Sequence, residues 1–405
     1  MNSIKTGTAY LPNLTPLRGV AALLTVIFHA DLYMGAGSGA LLRLKDSLLI
    51  SKLYLMVDFF FVLSGFIMCH VYGKWFSNSV ESFSFKKFTI ARFARVYPLH
   101  FFTLLYLVAL RVWFVSAGGN DTNPFSYLSN TWQSIPTNLL LIQSMNVHKW
   151  FTWNNAAWSI STEWWMYMLF PFLVAPFMRL SSAARVVVVL TCFAGYVFIM
   201  LVIQNFVTVP PQLAFIKSQP TINVSYQYGF LRCLFGFIIG MMMYLGYKDG
   251  FAKKFLANGT VLIISTVCLF ICLHFAVPDV ISVSFYPLII LSAAYGSKSM
   301  NALFGNKLMQ RLGDLSFSIY LVHQPIAYTF FTMMAYFNPA PSEANMTQPP
   351  PKPGMLTAWL ICLLFITITL LLSWLSYKYI EVPSRNWLNN RFKTRDSSTS
   401  NLQTI

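Results

Sequence analysis

The chain has 405 residues, of which 56% are hydrophobic and only 10% are charged, and its mean hydropathy is +0.58. This composition excludes a soluble globular protein and indicates an integral membrane protein. The formal net charge of +16 would suit a nucleic-acid ligand. However, the basic residues concentrate in alternate loops between apolar stretches, so we interpret the charge as a signal of membrane topology and expect no nucleic-acid partner.

About ten apolar stretches are long enough to cross a bilayer as helices, and they predict an all-α polytopic membrane protein. These stretches lie at residues 15–34, 52–72, 98–116, 157–178, 184–206, 228–247, 259–277, 280–296, 315–337 and 355–377. All six cysteines fall within them, so the cysteines are interpreted as core residues and no disulfide is predicted.

Lysine and arginine residues follow the second, fourth, sixth, eighth and tenth stretches, whereas the other loops carry few of them. Because positive residues concentrate on the cytoplasmic side of membrane proteins, this alternation predicts that both termini are cytoplasmic. Residues 1–387 are predicted to form one transmembrane domain. Residues 388–405 are predicted to form a polar, disordered tail, and no soluble catalytic domain is expected at either end.

The first apolar stretch carries two ionisable residues, Arg18 and His29, eleven positions apart. Eleven helical residues make about three turns, so both side chains lie on nearly one face, about 16 Å apart along the helix axis. Thr15 and Pro16 resemble an N-cap followed by proline in the first turn, which places Arg18 at the membrane surface and His29 inside the bilayer. Ionisable groups at that depth are costly and are candidates for function.

Three further ionisable residues are predicted to share the depth of His29. Counting from the membrane surfaces places Asp58, Glu163 and Arg232 in the same layer, in the outer half of the bilayer, on three other helices. They would offset one another's charge if they lined one polar cavity. We therefore expect Asp58 or Glu163 to orient His29 as a base. The alternative is that His29 is a packing histidine with satisfied hydrogen bonds.

A second group of basic residues lies nearer the predicted cytoplasmic side. Arg92 and Arg95, at i and i+3, would point the same way on a helix, and Arg18 reaches the same surface. Paired guanidinium groups suit phosphate binding, although topology charges would look similar. His323, about eight residues into the ninth stretch, is either functional or an interhelical hydrogen-bonding residue. No metal-binding or serine-hydrolase motif is present, so no metal site is predicted.

Taken together, these motifs resemble the acyltransferase-3 family of bacterial multi-span membrane enzymes, which O-acylate sugars and cell-envelope polymers. The resemblance extends over nearly the whole chain. It rests on Arg18 with His29, DFFFVLSGF with Asp58, RFARVYP with Arg92 and Arg95, WSISTEWWMY with Ser159 and Glu163, RCLFGFIIG with Arg232, SFSIYLVHQP with His323, and YIEVPSRNW with Glu381.

The resemblance implies an enzyme of the bacterial inner membrane. Some members of the family carry a fused esterase-like domain, whereas this chain resembles the stand-alone type, which either transfers the acyl group directly or hands it to a partner. It implies an acyl-CoA donor, with acetyl as the expected acyl group, and no permanently bound cofactor. The acceptor would be a hydroxyl of a carbohydrate or lipid-linked sugar on the outer side, and membrane lipids would surround the protein.

Combined with the residue patterns, the resemblance assigns roles to nine residues. The expected catalytic residues are His29, Glu163 and Asp58; the expected donor-binding residues are Arg18, Arg92 and Arg95; the expected acceptor-binding residues are Arg232, His323 and Ser159. An alternative function is a proton-coupled transporter of a small polar metabolite, because ionisable residues inside spans are also typical of transporters. Such a protein usually contains an internal repeat, and we find none in the sequence.

Overall fold

The computed structural model describes residues 11–34, 39–119, 129–208, 221–275, 277–337 and 353–392. Over these residues the chain forms helices and loops without a strand, which confirms the predicted all-α fold. The main helices, one for each predicted stretch, are α1 Leu14–Tyr33, α2 Met56–Tyr72, α3 Ser82–Ser116, α4 Ala157–Met178, α5 Ser182–Leu201, α6 Gly229–Lys248, α7 Gly259–His274, α8 Asp279–Tyr295, α9 Lys307–Phe337 and α10 Met355–Ser376.

Shorter helical segments connect or extend the main helices. They are the α-helices Ile135–Leu139, Lys253–Leu256, Lys298–Phe304 and Val382–Arg391 (α11), the 3₁₀ turns Leu53–Leu55, Gly73–Phe76, Trp132–Ser134 and Ile203–Phe206, and the π turn Tyr377–Glu381. The predicted disordered tail at 388–405 therefore begins inside α11. Residues 393–405 lie outside the described residues.

Six segments of the described chain are long and apolar enough to cross a membrane, as expected for a multi-pass membrane protein. They contain α1, α2, α3, α5, α6 and α10, and α7 and α8 are apolar but only 16 and 17 residues long. In the most apolar 18 residues of the span that contains α2, 78% of the residues are buried by the rest of the protein. For the spans that contain α5 and α10, this share is 17%. Thus α2 is central, and α5 and α10 are peripheral. Ten crossings with cytoplasmic termini stay a prediction.

The largest boundary error concerns α3, which begins at Ser82 rather than at the predicted residue 98 and continues through Pro98. The first half of α3 carries Lys86, Lys87, Arg92 and Arg95, so hydropathy does not detect it. A proline within a membrane helix is tolerated where neighbouring groups satisfy the freed carbonyl. In consequence both arginines lie in the helix interior, with fixed directions.

Glycines allow two helix pairs to approach at backbone distance. A Cβ atom on Gly240 of α6 would lie 1.9 Å from the carbonyl oxygen of Val62, and one on Gly65 of α2 would lie 2.0 Å from that of Phe237. Likewise, a Cβ atom on Gly313 of α9 would lie 2.1 Å from the Thr15 carbonyl of α1. Small residues at such interfaces are typical of membrane helix packing. They hold α2 against α6, and α1 against α9.

The Gly240→Ala variant is expected to be destabilised by about 1–3 kcal/mol or more, because its new methyl group meets backbone rather than a movable side chain. Gly246→Ala on the same helix is the matched control, since its Cβ atom would meet nothing closer than 3.6 Å. Thermal unfolding in detergent, followed by tryptophan fluorescence, measures both. Equal melting temperatures for the two variants would contradict the packing.

Candidate active site

A cavity of about 130 Å³ lies between α1, α2, α3, α4 and α9. Its wall contains Arg18 from α1, Arg92 and Arg95 from α3, and Glu163 from α4. The three arginines that were predicted to bind the donor therefore line the same cavity. The Glu163 carboxylate, which was expected beside His29, also lines it. The cavity thus combines a largely apolar wall with a concentration of basic side chains, and we call it the basic cavity.

The guanidinium group of Arg92 makes only some of the hydrogen bonds that it can donate. Its Nη2 donates to the Tyr72 hydroxyl at 2.7 Å, and its guanidinium carbon lies 4.9 Å from the centre of the Tyr72 ring. Its Nε is buried and has no hydrogen-bond partner among the described residues. A buried donor without a partner is costly. Arg92 is thus positioned by an aromatic residue in the cavity wall, and one of its buried donors is left unpaired.

Arg95 forms an ion pair with Glu381, a residue whose role the sequence did not reveal. The Glu381 side chain is only 1% exposed, and it also accepts hydrogen bonds from Ser318 Oγ at 2.8 Å and from Arg385 Nη1 at 3.5 Å. It ends the π turn Tyr377–Glu381 between α10 and α11. Such turns are rare and occur frequently at functional sites. The turn places a carboxylate that fixes the direction of Arg95.

Glu163 lies with the arginines rather than at the level of His29, so the predicted shared layer is wrong for this residue. Its Oε1 accepts hydrogen bonds from Ser64 Oγ and Tyr167 Oη, both at 2.5 Å. Trp153 and Ala157, just before and at the start of α4, are fully buried, so other parts of the chain cover this end of the helix. Because a helix start in sequence does not mark the membrane surface, residue counting does not give the depth of Glu163 relative to His29.

Asp58 pairs with Arg232, and the expected contact between Asp58 and His29 is wrong. Arg232 Nη2 and Nε lie 2.6 and 2.9 Å from the two carboxylate oxygens of Asp58, and both side chains are fully buried. Arg232 also donates to Asn223 Oδ1 at 2.9 Å and to the Tyr54 carbonyl at 3.2 Å. Both carboxylate oxygens are therefore engaged in one closed pair between α2 and α6.

His29 instead contacts a second histidine, His323 of α9. His29 Nδ1 lies 3.0 Å from the Thr25 carbonyl oxygen and 3.2 Å from His323 Nε2. His29 is half-buried, whereas His323 is fully buried. One turn further along α1, the Tyr33 hydroxyl hydrogen-bonds with the side chain of Gln324. Residues from two turns of α1 and one segment of α9 thus form a polar cluster that contains no carboxylate.

The basic cavity and the histidine pair lie at successive levels of the same helices. On α1, Arg18 lines the cavity and His29 follows about 16 Å further along the axis. On α9, Tyr320 lines the cavity and His323 follows one turn later, with the two rings 6.0 Å apart. Tyr320 Oη lies 2.6 Å from Ser159 Oγ, so Ser159 belongs to the cavity wall. Tyr320 therefore stands at the end of the cavity that is nearer to the histidines.

Comparison with known proteins identifies the family. A family model described as an acyltransferase domain matches residues 12–378. The chain is 26% identical to "Acyltransferase MdmB" of Streptomyces mycarofaciens, over 77% of this chain and 78% of that protein. It is 21% identical to "O-acetyltransferase OatA" of Staphylococcus aureus, over 93% of this chain and 57% of that protein.

Other relatives match shorter regions. The chain is 40% identical to "Protein 2 in picA locus" of Rhizobium radiobacter over 93 residues, which cover 23% of this chain and 41% of that protein. It thus spans less than half the length of this relative, and the matched share is 25% for "Peptidoglycan O-acetyltransferase OatA" of Listeria monocytogenes. No solved structure matches the chain. Because the family model covers nearly the whole sequence, the chain belongs to the acyltransferase-3 family.

Proposed function

We propose that this protein is a membrane O-acyltransferase that moves an acyl group, expected to be acetyl, from acyl-CoA to a hydroxyl of a sugar or cell-envelope polysaccharide. The observation that carries the proposal is the arrangement along α1 and α9. The basic cavity is lined by Arg18 of α1 and by Arg92 and Arg95 of α3. The half-buried imidazole of His29 lies further along α1, in contact with His323 of α9. This arrangement supports a reaction in which an anionic donor binds at the arginines and the acceptor proton is removed at the imidazole.

The donor would bind with its phosphate groups on the arginines. Guanidinium groups bind phosphate through parallel charge-assisted hydrogen bonds. Arg92 has an unpaired Nε, and Arg95 is held in direction by Glu381. The acyl-bearing arm would then extend along α9 past Tyr320 toward His323. The Tyr320–Ser159 hydrogen bond lies on this route, so we expect Tyr320 to move when the donor binds.

The transfer itself needs a base and two bound substrates. The acceptor hydroxyl oxygen attacks the thioester carbonyl, and His29 removes the hydroxyl proton. The C–O bond forms, the C–S bond breaks, and CoA leaves as a thiolate, which takes the proton from the His29 imidazolium and restores the neutral imidazole. An imidazole is suited to this proton transfer near neutral pH, and holding both reactants in one site supplies the remaining rate enhancement.

The names of the relatives and the predicted topology support a proposal for the acceptor and the cellular location. Two relatives are named as O-acetyltransferases, and one of these names includes peptidoglycan. We propose an extracytoplasmic carbohydrate or lipid-linked sugar as acceptor, cytoplasmic acyl-CoA as donor, and the bacterial inner membrane as location. Under this proposal His323 acts through His29 rather than on the acceptor. Asp58 and Arg232 support the fold.

Acyl-CoA binding by the purified protein in lipid nanodiscs tests the donor site. Isothermal titration with acetyl-CoA is expected to show saturable binding that Arg92→Ala weakens tenfold or more, since a charged hydrogen bond contributes about 1.5–3 kcal/mol. Arg391→Ala, an exposed arginine on α11, is the control. If neither acetyl-CoA nor a longer acyl-CoA binds, the proposal fails. Substrate flux without acyl-CoA would then favour the transporter alternative.

A transfer assay tests the reaction. Membrane vesicles that contain the protein are given radiolabelled acetyl-CoA on the cytoplasmic side, and the label is counted in the carbohydrate fraction of the envelope. We expect labelling that depends on the protein and is released by mild alkali, as an ester is. Label that stays resistant to alkali would contradict O-acylation.

A further inference from the structure

We propose that His323 is a positioning residue: together with the Thr25 carbonyl it accepts the Nδ1–H of His29, and so keeps the free lone pair of His29 on Nε2. The proposal rests on the proposed function for its catalytic meaning, but the tautomer itself is a property of the protein alone. The proposal identifies Nε2 as the atom of His29 that acts as the base. The partner of His29 is then a neutral imidazole, in place of the carboxylate that the sequence analysis expected.

The tautomer follows from which groups can only accept. His29 Nδ1 lies 3.0 Å from the Thr25 carbonyl oxygen, and His323 Nδ1 lies 3.2 Å from the Ile319 carbonyl oxygen. A carbonyl oxygen has no hydrogen to give, so each Nδ1 must carry one for these contacts to be hydrogen bonds. A neutral imidazole carries a single ring N–H. Both Nε2 atoms are therefore bare.

The contact between the two rings agrees with this assignment. His323 Nε2 lies 3.2 Å from His29 Nδ1. With Nε2 bare, His323 accepts from the Nδ1–H of His29, which is shared between this nitrogen and the Thr25 carbonyl. In the opposite arrangement His323 Nε2 donates to a bare His29 Nδ1. The lone pair of that Nδ1 would then face the Thr25 carbonyl oxygen, and the Ile319 carbonyl would lose its donor.

Only one of the two rings remains available to a substrate. His323 is fully buried, and both of its ring nitrogens are within hydrogen-bond distance of a partner. His29 is half-buried, and its Nε2 has no hydrogen-bond partner in the described part of the chain. When His29 Nε2 takes the acceptor proton, the Nδ1–H stays between the Thr25 carbonyl and His323. The developing imidazolium is thus held by two acceptors without a carboxylate.

Nitrogen NMR on protein with ¹⁵N-labelled histidine tests the tautomer directly. In nanodiscs at a pH where His29 is neutral, bare and protonated ring nitrogens have well-separated shifts. The His29 signals are identified as those absent from the His29→Gln spectrum. We expect a protonated Nδ1 and a bare Nε2 in wild type. In His323→Leu we expect the same tautomer with a shifted Nδ1 signal, because the Thr25 carbonyl remains but one of the two acceptors of the Nδ1–H is lost. A His29 ring protonated at Nε2 in wild type would overturn the proposal and leave the proposed function standing.

The transfer assay tests the catalytic consequence. His323→Leu is expected to lower kcat about 10- to 100-fold, part of the 10²- to 10⁴-fold that general-base catalysis supplies, with an unchanged KM for acetyl-CoA. His323→Gln, which keeps an acceptor, should recover much of the loss. A purely structural role predicts instead that both variants lose thermal stability and activity together. Wild-type kcat in His323→Leu would also overturn the proposal.

Discussion

The His29→Gln variant is expected to lose acyl transfer by about 10²- to 10⁴-fold while retaining wild-type affinity for acetyl-CoA. The reason is spatial, since His29 lies about 16 Å from Arg18 along α1 and is not among the residues that line the basic cavity. Removing the base should therefore affect the chemical step and leave the arginines in place. The transfer assay and acetyl-CoA titration measure the two effects independently.

A second histidine provides the control for this experiment. His274, at the end of α7, is half-buried and hydrogen-bonds with Ser47 Oγ at 2.7 Å through its Nδ1. It resembles His29 in burial but lies outside the cavity and the histidine pair. His274→Gln is expected to transfer acetyl groups at the wild-type rate. Full activity in His29→Gln, with the control also active, would refute the assignment of His29 as base.

Much of the helical framework could be predicted from apolar length alone. Each of the ten stretches contains a helix, because a membrane segment has to satisfy its backbone hydrogen bonds internally. The i, i+3 spacing of Arg92 and Arg95 correctly indicated a shared direction, since both line one cavity. These predictions succeeded because they depend on residues close in sequence.

Neighbours between helices could not be predicted in the same way. Depth counting placed Asp58 and Glu163 beside His29, but helix contacts are decided by packing. Gly313 brings α9 against α1, and this approach gives His29 the partner His323. Gly65 and Gly240 bring α2 against α6, and this approach gives Asp58 the partner Arg232. The glycines were visible in the sequence, but the identity of their partners was not.

Glu381 shows a different limit of sequence reasoning. The residue was visible in the motif YIEVPSRNW, but its direction depends on a π turn, which hydropathy does not reveal. A regular α-helix through Tyr377–Glu381 would advance about 100° per residue and direct the side chain elsewhere. The ion pair with Arg95 therefore became evident only from the structure.

The Arg232→Met variant is expected to be destabilised by about 3–5 kcal/mol, the largest stability effect that we predict. It would leave the fully buried Asp58 carboxylate without its partner, and Asn223 Oδ1 and the Tyr54 carbonyl without a donor. The double variant Asp58→Leu/Arg232→Met is expected to be less destabilised than Arg232→Met, because no unpaired charge remains. Thermal unfolding and the monodisperse fraction on size exclusion in detergent measure both.

A second ion pair, at the protein surface, serves as the control that shows how much of the expected destabilisation comes from burial of the charges. Arg185 and Asp249 also form an ion pair, but the side chain of Asp249 is 53% exposed. Arg185→Met should cost less than about 1 kcal/mol, because water compensates a charge that loses its partner at the surface. If Arg232→Met has the melting temperature of wild type but does not transfer acyl groups, then the Asp58–Arg232 pair belongs to the active site and is not required for the fold. If it unfolds as expected, its loss of activity carries no information about the acceptor, and acceptor contacts have to be sought around His29.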